Sequence, residues 1–419
     1  VLQSLSPPAQ DRHRRGSPGL RRVNLALFIA GLTTFMALYS TQALLPVLSQ
    51  VFHVSPTASS LLVSLATGTL ALAVIPVSSL SERFGRTRVM LVSSAIAAPL
   101  GLLMPLAPSF PALAGLRALQ GIALAGVPAV AMAYLADEVH PEALGGAMGR
   151  YIAGNTVGGL VGRLLPGFVT DLAGWRWALA ATAVTSLLLT VAFWVLLPRS
   201  RFFTPSRAGG GPLLRHLADP GMRRLYLVAL ALMSTFVTVY NYLGYRLIAA
   251  PFGLPKALAA LVFVMYLAGT FSSPAAGSLA DRIGRRPVLL GACVVAAAGL
   301  LLTLPDSLPA VAVGLMIMTT GFFAAHSVAS GWVGRRAAGG RAHASGLYLF
   351  SYYLGSSVGG SAGGLAYEHG RWPATVAYGL ILLTVALLAA LGVRVSAGEP
   401  ARTRSEARSR AVSTCGEEA

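Results

Sequence analysis

This 419-residue chain predicts an all-α membrane protein with about twelve transmembrane helices, arranged as two parallel six-helix repeats. Three observations carry the expectation. The residues are 55% hydrophobic and only 11% charged, where soluble domains carry roughly a quarter charged residues. Long stretches contain no Asp, Glu, Lys or Arg. The second half of the chain also repeats motifs of the first.

The first charge-free stretch runs from Val23 to Ser81 and has room for two crossings at about 20 residues each. Ten further apolar runs follow at 89–107, 112–134, 150–170, 177–197, 225–245, 257–277, 287–304, 308–332, 345–366 and 373–393. These spans predict a cytoplasmic tail at 1–22, a six-helix bundle at 23–198, a cytoplasmic linker at 199–222, a second bundle at 223–394 and a cytoplasmic tail at 395–419. The linker is the one long polar connection and contains "SRAGGGP".

A formal charge of +18 would suggest nucleic acid as the partner of a soluble protein. Its distribution explains it otherwise. Arginines gather in the first tail (Arg12, Arg14, Arg15, Arg21, Arg22), in alternate loops (Arg83, Arg86, Arg88; Arg150; Arg199 to Arg224; Arg282, Arg285, Arg286; Arg335, Arg336, Arg341) and in the last tail (Arg394, Arg402, Arg404, Arg408, Arg410). The opposite loops hold only Arg176, Arg246, Lys256 and Arg371. This is the positive-inside bias, which places both termini in the cytoplasm and makes the lipid bilayer, not nucleic acid, the expected partner. Cys293 lies in an apolar run and Cys415 in the polar tail, so no disulfide framework is expected. The basic first 22 residues lack a short apolar core with a cleavage site, so no cleaved signal peptide is expected. One lysine among abundant Arg and Ala suggests a GC-rich bacterial genome, hence a bacterial inner membrane.

"SSLSERFGRTRV" (Ser78 to Val89) matches "GSLADRIGRRPV" (Gly277 to Val288) at an offset of about 199 residues. "FMALYS" in the first span precedes "FVTVYN" in the seventh by about 201, and "GNTVGGLVGRL" from Gly154 aligns with "GSSVGGSAGGL" from Gly355. Six crossings per repeat is an even number, so the repeats are parallel, related by an axis along the membrane normal, with a substrate site expected at their interface near the midplane.

With these motifs in view, the sequence resembles the major facilitator superfamily of secondary transporters over nearly its whole length. The loop pattern G-x-L-A-D-R-x-G-R-R is degenerate in "SSLSERFGRT" and nearly complete in "GSLADRIGRR". "RALQG" (Arg117 to Gly121) resembles the fourth-helix pattern of proton-coupled exporters, and the glycine-rich fifth span is a third mark. More narrowly, "YIAGNTVGGLVGRLL", "GFFAAHSVASGWVGRR" and "YYLGSSVGG" are similar to bacterial exporters related to sugar and drug efflux permeases. The resemblance implies a gating role for the loops. Gly85 and Gly284 would permit the tight turn, Arg83, Arg86, Arg282 and Arg285 would stay in the headgroup region, and Glu82 and Asp281 would face a helix N-terminus or an arginine of the other half.

Charges within a span are costly and usually face the bundle interior or a water-filled path. Arg117 and Arg163 qualify, at similar depth in the outer half, and are expected to line one cavity; Asp171, Asp306 and Glu368 fall in outer loops and Asp137 and Glu138 at the cytoplasmic end of the fourth span. Two arginines without an internal carboxylate point to an anionic or hydroxyl-rich small-molecule ligand, while the alternative is that a guanidinium bonds helix carbonyls freed by bending. Asn155 and Arg163 share one helix face about 12 Å apart. Tyr39, Gln42, Tyr240 and Asn241 lie on the symmetric cavity-lining helices, and aromatic faces with amides suit sugars or amphipathic molecules. Histidine is the side chain whose ordinary pKa lies near neutrality, so His326, with Arg117, Asp137 and Glu138, is a candidate for proton coupling. Tyr348, Tyr352 and Tyr353 are equally readable as packing or site.

The leading function is an exporter of small organic molecules working by alternating access as a monomer, with proton coupling open. Import, with a proton or by facilitated diffusion, is the alternative. A non-transporting sensor on the same scaffold is the reading from another class. An enzyme is not expected, since the sequence has no nucleotide loop, metal-ligand cluster or nucleophile with a paired base, and no cofactor is implied.

Overall fold

The computed structural model describes residues 12–203, 211–337 and 340–393, with the side chains of 211–214, 341 and 342 set aside. Readings placed on residues 1–11, on the glycine run with Arg207, and on 394–419 with Arg394, Arg402, Arg404, Arg408, Arg410 and Cys415 lie outside the described residues.

Twelve helical rods cross the molecule: α1 (Pro18–Val51), α2 (Pro56–Phe84), α3 (Arg86–Leu106), α4 (Phe110–Glu138), α5 (Pro141–Ala173), α6 (Trp175–Leu196), α7 (Pro220–Ile248), α8 (Lys256–Ile283), α9 (Arg285–Leu302), α10 (Leu308–Arg336), α11 (341–369) and α12 (371–391). Among the described residues, ten spans are long and apolar enough for a membrane crossing by length and composition alone. The last of these, His343–Leu391, holds two rods, because the chain turns at Gly370 and Arg371, whose φ is 51°. Glycine-rich α5 completes the set. The short helix Gly211–Ala218 precedes α7.

Local sequence explains the ends. Ser17, Ser55 and Ser109 accept the N–H groups of Leu20, Ala58 and Ala112, and a proline occupies the first turn of each helix. Asp219 accepts the Gly221 N–H at 2.8 Å and is paired with Arg336 at 2.7 Å. Burial would raise this carboxyl, yet the hydrogen bonds from Arg336 and Gly221 and the Arg336 charge hold it below the usual carboxylate range. Gly85 and Gly284 join α2 to α3 and α8 to α9 at φ of 94° and 95°, so the repeated loop has one backbone conformation in both copies. Arg22 donates to the carbonyls of Leu196 and Val195 at the end of α6, and Arg224 does the same for Gly392 after α12.

The small-residue stripe of α5 packs directly on α1, where a Cβ on Gly154, Gly158 or Gly162 would collide with the carbonyls of Phe28, Leu32 and Met36. The counterpart on α11 meets the α7 backbone at Gly355, against the Leu230 carbonyl, and α7 side chains at Gly359 and Gly363. At Gly355–Gly359 it opens into a π turn, which loosens its own carbonyl bonds. Thr238 and Tyr242, one turn apart on α7, donate their hydroxyls to the carbonyls of Gly359 and Gly360 at 3.2 Å each, and the Ser234 hydroxyl lies between its own Leu230 carbonyl at 2.8 Å and that of Gly355 at 3.1 Å.

Among the described residues, the hydrogen bonds between the first six rods and the last six all lie in the half of the bundle remote from the chain ends. They are Gln42 to Asn241, Tyr245 to the Leu45 carbonyl, Ser361 to Ser64, Thr57 N–H to Glu368 and Ala257 N–H to Asp171.

The α1–α5 contact generates a prediction. Gly158→Leu is expected to destabilise the protein by about 1–3 kcal/mol through overpacking against backbone that cannot yield. Gly145→Ala, where the space is open, is expected to be neutral; thermal melts of the detergent-solubilised variants check the difference.

Candidate functional site

Two helix irregularities build the interface site. α1 breaks into a 3₁₀ turn at Gln42–Leu44, directing the Gln42 amide inward. α8 begins as a short helix and then runs as a 3₁₀ segment over Leu261–Leu267, in which side chains three apart eclipse. Phe263 and Tyr266 therefore share one face. Between these elements α5 delivers Arg163, 1% exposed, with Gly159 one turn below leaving room for the guanidinium.

Arg163 donates from Nε to Gln42 Oε1 at 2.6 Å and from a terminal nitrogen to the Gly159 carbonyl. Its guanidinium lies 3.9 Å from the ring centre of Tyr39, 4.5 Å from Tyr266 and 5.3 Å from Phe263. Flat cations bind well to such faces. Gln42 Nε2 then donates to Asn241 Oδ1 at 2.7 Å, so a single relay runs from α5 through α1 to α7. Tyr240 supports it from behind: its hydroxyl pairs with Thr319 at 2.8 Å and its ring packs on Phe263, Tyr266 and Phe236. Asn241 Nδ2 and the Tyr266 hydroxyl are buried with no partner. The site thus holds a buried cation with no carboxylate among the partners described, and two hydrogen-bonding groups unused.

The sequence grouped Arg163, Gln42, Tyr39, Tyr240 and Asn241, and the structure brings these together. It does not bring in Asn155, whose Oδ1 packs against Gly31 of α1 nearer the arginine-rich end, without a hydrogen-bond partner. Phe263 and Tyr266 were missed. Their signal was an aromatic pair at spacing three within an apolar run, which carries meaning only once that run is 3₁₀.

Arg117 does not share the Arg163 cavity, contrary to the expectation that both line one space. It is fully buried and donates to the carbonyls of Leu62 at 2.7 Å, Ala37 at 2.9 Å and Leu38, with Gln120 Oε1 at 2.6 Å. Ala37 and Leu38 precede the α1 break, where Ser40 also turns back to the Ala37 carbonyl. His326 Nδ1 lies 3.0 Å from the Tyr348 hydroxyl, and its ring packs on Phe322 and Tyr352; Tyr352 in turn meets Tyr353 edge-on.

The loop residues divide. Arg86 bonds Ser81 at 2.7 Å, reaches Asp137 at 3.4 Å and lies over the Phe203 ring. Asp281 pairs with Arg285 at 3.1 Å and Arg335 at 2.9 Å, both within the last six rods rather than across to the first six. Arg83 and Arg282 are exposed, and one oxygen of half-buried Glu82 has no partner. Glu138 is 1% exposed, and its Oε1 accepts from Ser200 Oγ, Arg201 N and Phe202 N at 2.7, 2.6 and 3.1 Å. It anchors the segment that leaves α6. Acids do cap helices across the two sets, but at the opposite end of the bundle. The α8 start has no side-chain cap of its own, and Asp171 supplies one to Ala257 at 2.6 Å; Glu368 accepts from Thr57 in the first turn of α2 at 2.9 Å.

The carbonyl clamp generates a prediction. Arg117→Met is expected to lower stability by about 3–5 kcal/mol, because three buried carbonyls lose a charged donor and that of Ala37 keeps only Ser40. Arg117→Lys, with one ammonium, is expected to recover only part of it, and thermal melts of both variants check this.

The family model described as "Major Facilitator Superfamily" matches residues 27–263 and 225–414. The chain is 43% identical to the inner membrane transport protein YnfM of Escherichia coli (strain K12), over 92% of this chain and 93% of that one. It is 41% identical to the MFS-type transporter YybF of Bacillus subtilis (strain 168), over 89% and 94%. Among solved structures, it superposes with a TM-score of 0.68 and 19% identity on a bacterial homolog of the human lysosomal transporter Spinster in an inward-facing, occupied conformation, covering 90% of this chain and 95% of that one. The nucleoside transporter NupG gives 0.71 and 13% identity, covering 88% and 98%. Repeated loop, twelve-rod fold and full-length relatives agree: this multi-pass membrane chain belongs to the Major Facilitator Superfamily.

Proposed function

We propose that this secondary transporter exports small organic molecules, organic anions foremost, across a bacterial inner membrane by alternating access between its two six-helix bundles. The observation that carries the reading is Arg163, a buried cation held by rings and an amide with no described carboxylate partner. A substrate carboxylate would gain a charge-assisted pair with the guanidinium, and its remaining polar groups would meet the unused Asn241 amide and Tyr266 hydroxyl.

The same relay supplies the coupling. A carboxylate on Arg163 displaces Gln42, and Gln42 holds Asn241 across the two bundles. Substrate binding then weakens one of the joins that keep the far end closed, while the caps from Asp171 and Glu368 and the hydroxyls of Tyr245 and Ser361 supply the others there. The arginine-rich end is read as cytoplasmic from the charge bias. The gathering of inter-bundle hydrogen bonds in the half remote from the chain ends supports a site open to the cytoplasm, the arrangement from which an exporter loads. For proton coupling, His326 with Tyr348 is the pair placed within the helices, and Arg117, bound to carbonyls, serves structure first.

In proteoliposomes, Arg163→Ala is expected to weaken binding of organic anions about tenfold or more, the value of a charged hydrogen bond. The variant should keep the melting profile of the parent, and unchanged anion binding in that folded variant removes the ligand role. Efflux with and without an imposed pH gradient separates the coupling alternatives; flux that ignores the gradient ends proton coupling. Asp171→Asn and Glu368→Gln are each expected to shift the population about two- to fivefold toward opening at the far end, following cap energies of roughly 0.3–1 kcal/mol. Spin-label distances across that end read the shift.

A further inference from the structure

We propose that, within the organic-anion reading on which this rests, the cargo of the Arg163 site is a flat aromatic carboxylate, its acid group paired with the guanidinium and its ring laid against Phe323 and His326 of α10 and Tyr352 of α11. Rings run without interruption from the cation toward the arginine-rich end. The Tyr266 ring, 4.5 Å from the guanidinium, meets Phe323 at 6.1 Å, and Phe323 meets Phe322 at 5.1 Å. Phe322 stacks on Phe236 at 3.8 Å and lies parallel to His326 at 6.0 Å, and His326 meets Tyr352 at 4.7 Å. Thr319, which pairs with Tyr240 behind the cation, stands seven residues before His326 on α10, so the wall extends about 10 Å from the level of Arg163.

Two observations separate this wall from ordinary core packing. Phe236, Phe322 and Tyr240 are buried, whereas Phe323, His326 and Tyr352 are partly exposed. Tyr352 packs against the cores of both bundles, and Phe323 against Tyr266, which faces Arg163 of the other bundle. Their open edges therefore stand at the seam between the bundles. Phe323 is seated there by α8, where a Cβ on Gly269 would come within 2.6 Å of its ring. The repeat, moreover, does not require these rings. The matching stretch of α4, Gly121 to Val127, reads GIALAGV and holds only glycine, alanine and aliphatic side chains. The cation is likewise unmatched, since Gly364 of α11 stands where α5 has Arg163. Each bundle thus departs from the repeat on the face it turns to the other, one with a cation and the other with rings. A guanidinium pairs with a carboxylate, and a bound aromatic ring packs edge-on or offset against other rings with a gain beyond the area it buries. A saturated ring of the same size gains the area alone.

The test compares 3-phenylpropionate with 3-cyclohexylpropionate, equal in charge and chain length, by calorimetric titration of the full chain in detergent. The phenyl acid is expected to bind about tenfold more tightly, whereas a merely apolar wall would favour the cyclohexyl acid. Phe323→Leu and Tyr352→Leu should each reduce that ratio about threefold or more with the melting midpoint kept, and Tyr352→Phe should retain it. Arg163→Ala should weaken both acids alike. Equal affinities, a preference for the cyclohexyl acid, or a ratio that survives both leucine variants overturns the aromatic assignment and leaves the organic-anion reading standing. Neither acid binding, or both binding Arg163→Ala as well as the parent, overturns that reading and the assignment with it.

Discussion

A carbonyl released from its helix inside a bilayer has no water to turn to, and several polar side chains of this chain are placed where helices become irregular. At the α1 break Ser40 turns back to Ala37, and Arg117 adds a charged donor to the Ala37 and Leu38 carbonyls. At the π turn of α11, Thr238 of α7 and Tyr378 of α12 reach the Gly359 carbonyl. Arg246 gathers the carbonyls of Thr303, Leu304 and Pro305 together with Asp306. Each irregularity would be expensive alone and becomes stable when a neighbour brings a donor. The breaks that shape the interface therefore depend on residues that never touch it.

Arg163 departs from this rule. It satisfies one carbonyl, on its own helix, and gives the rest of its capacity to an amide and three aromatic faces. Guanidinium suits this because its charge is spread over a plane and weakly hydrated. A carbonyl-bound arginine is committed to structure, whereas one held by a glutamine and rings can exchange partners at modest cost.

The spans and the repeat were legible because apolar length and motif spacing are properties of the chain itself. Tyr39, Gln42, Tyr240, Asn241 and Arg163 were legible as a group, since the repeat equates α1 with α7. Phe263 and Tyr266 were not, because helical spacing gives no hint that the α8 start is 3₁₀. Arg117 and Arg163 looked alike in depth, and depth does not say which face of a helix meets a broken neighbour. Glu138 was weighed as a proton carrier. Its partners, Ser200 to Phe202, lie some 60 residues on and meet it only after α5 and α6 have returned the chain to the same end.

The acids show why a motif locates a function less well than the physics behind it. A carboxylate capping a helix of the other repeat was expected at the loop of Glu82 and Asp281. That chemistry occurs at the opposite end, through Asp171 and Glu368, which sequence assigned to loops. Both stand at the end of a glycine-striped rod, α5 or α11, and both cap the rod that follows α1 or α7 in the other set, α8 or α2. The repeat thus generates two equivalent clasps from one arrangement. The rods that carry them are held alike at one point and differently at others: α5 rests on the α1 backbone at Gly154, Gly158 and Gly162, and α11 rests on the α7 backbone at Gly355 against Leu230, whereas Gly359 and Gly363 meet the side chains of Ser234 and Thr238. The second contact therefore depends partly on side chains where the first depends on backbone, a difference that the glycine pattern alone conceals.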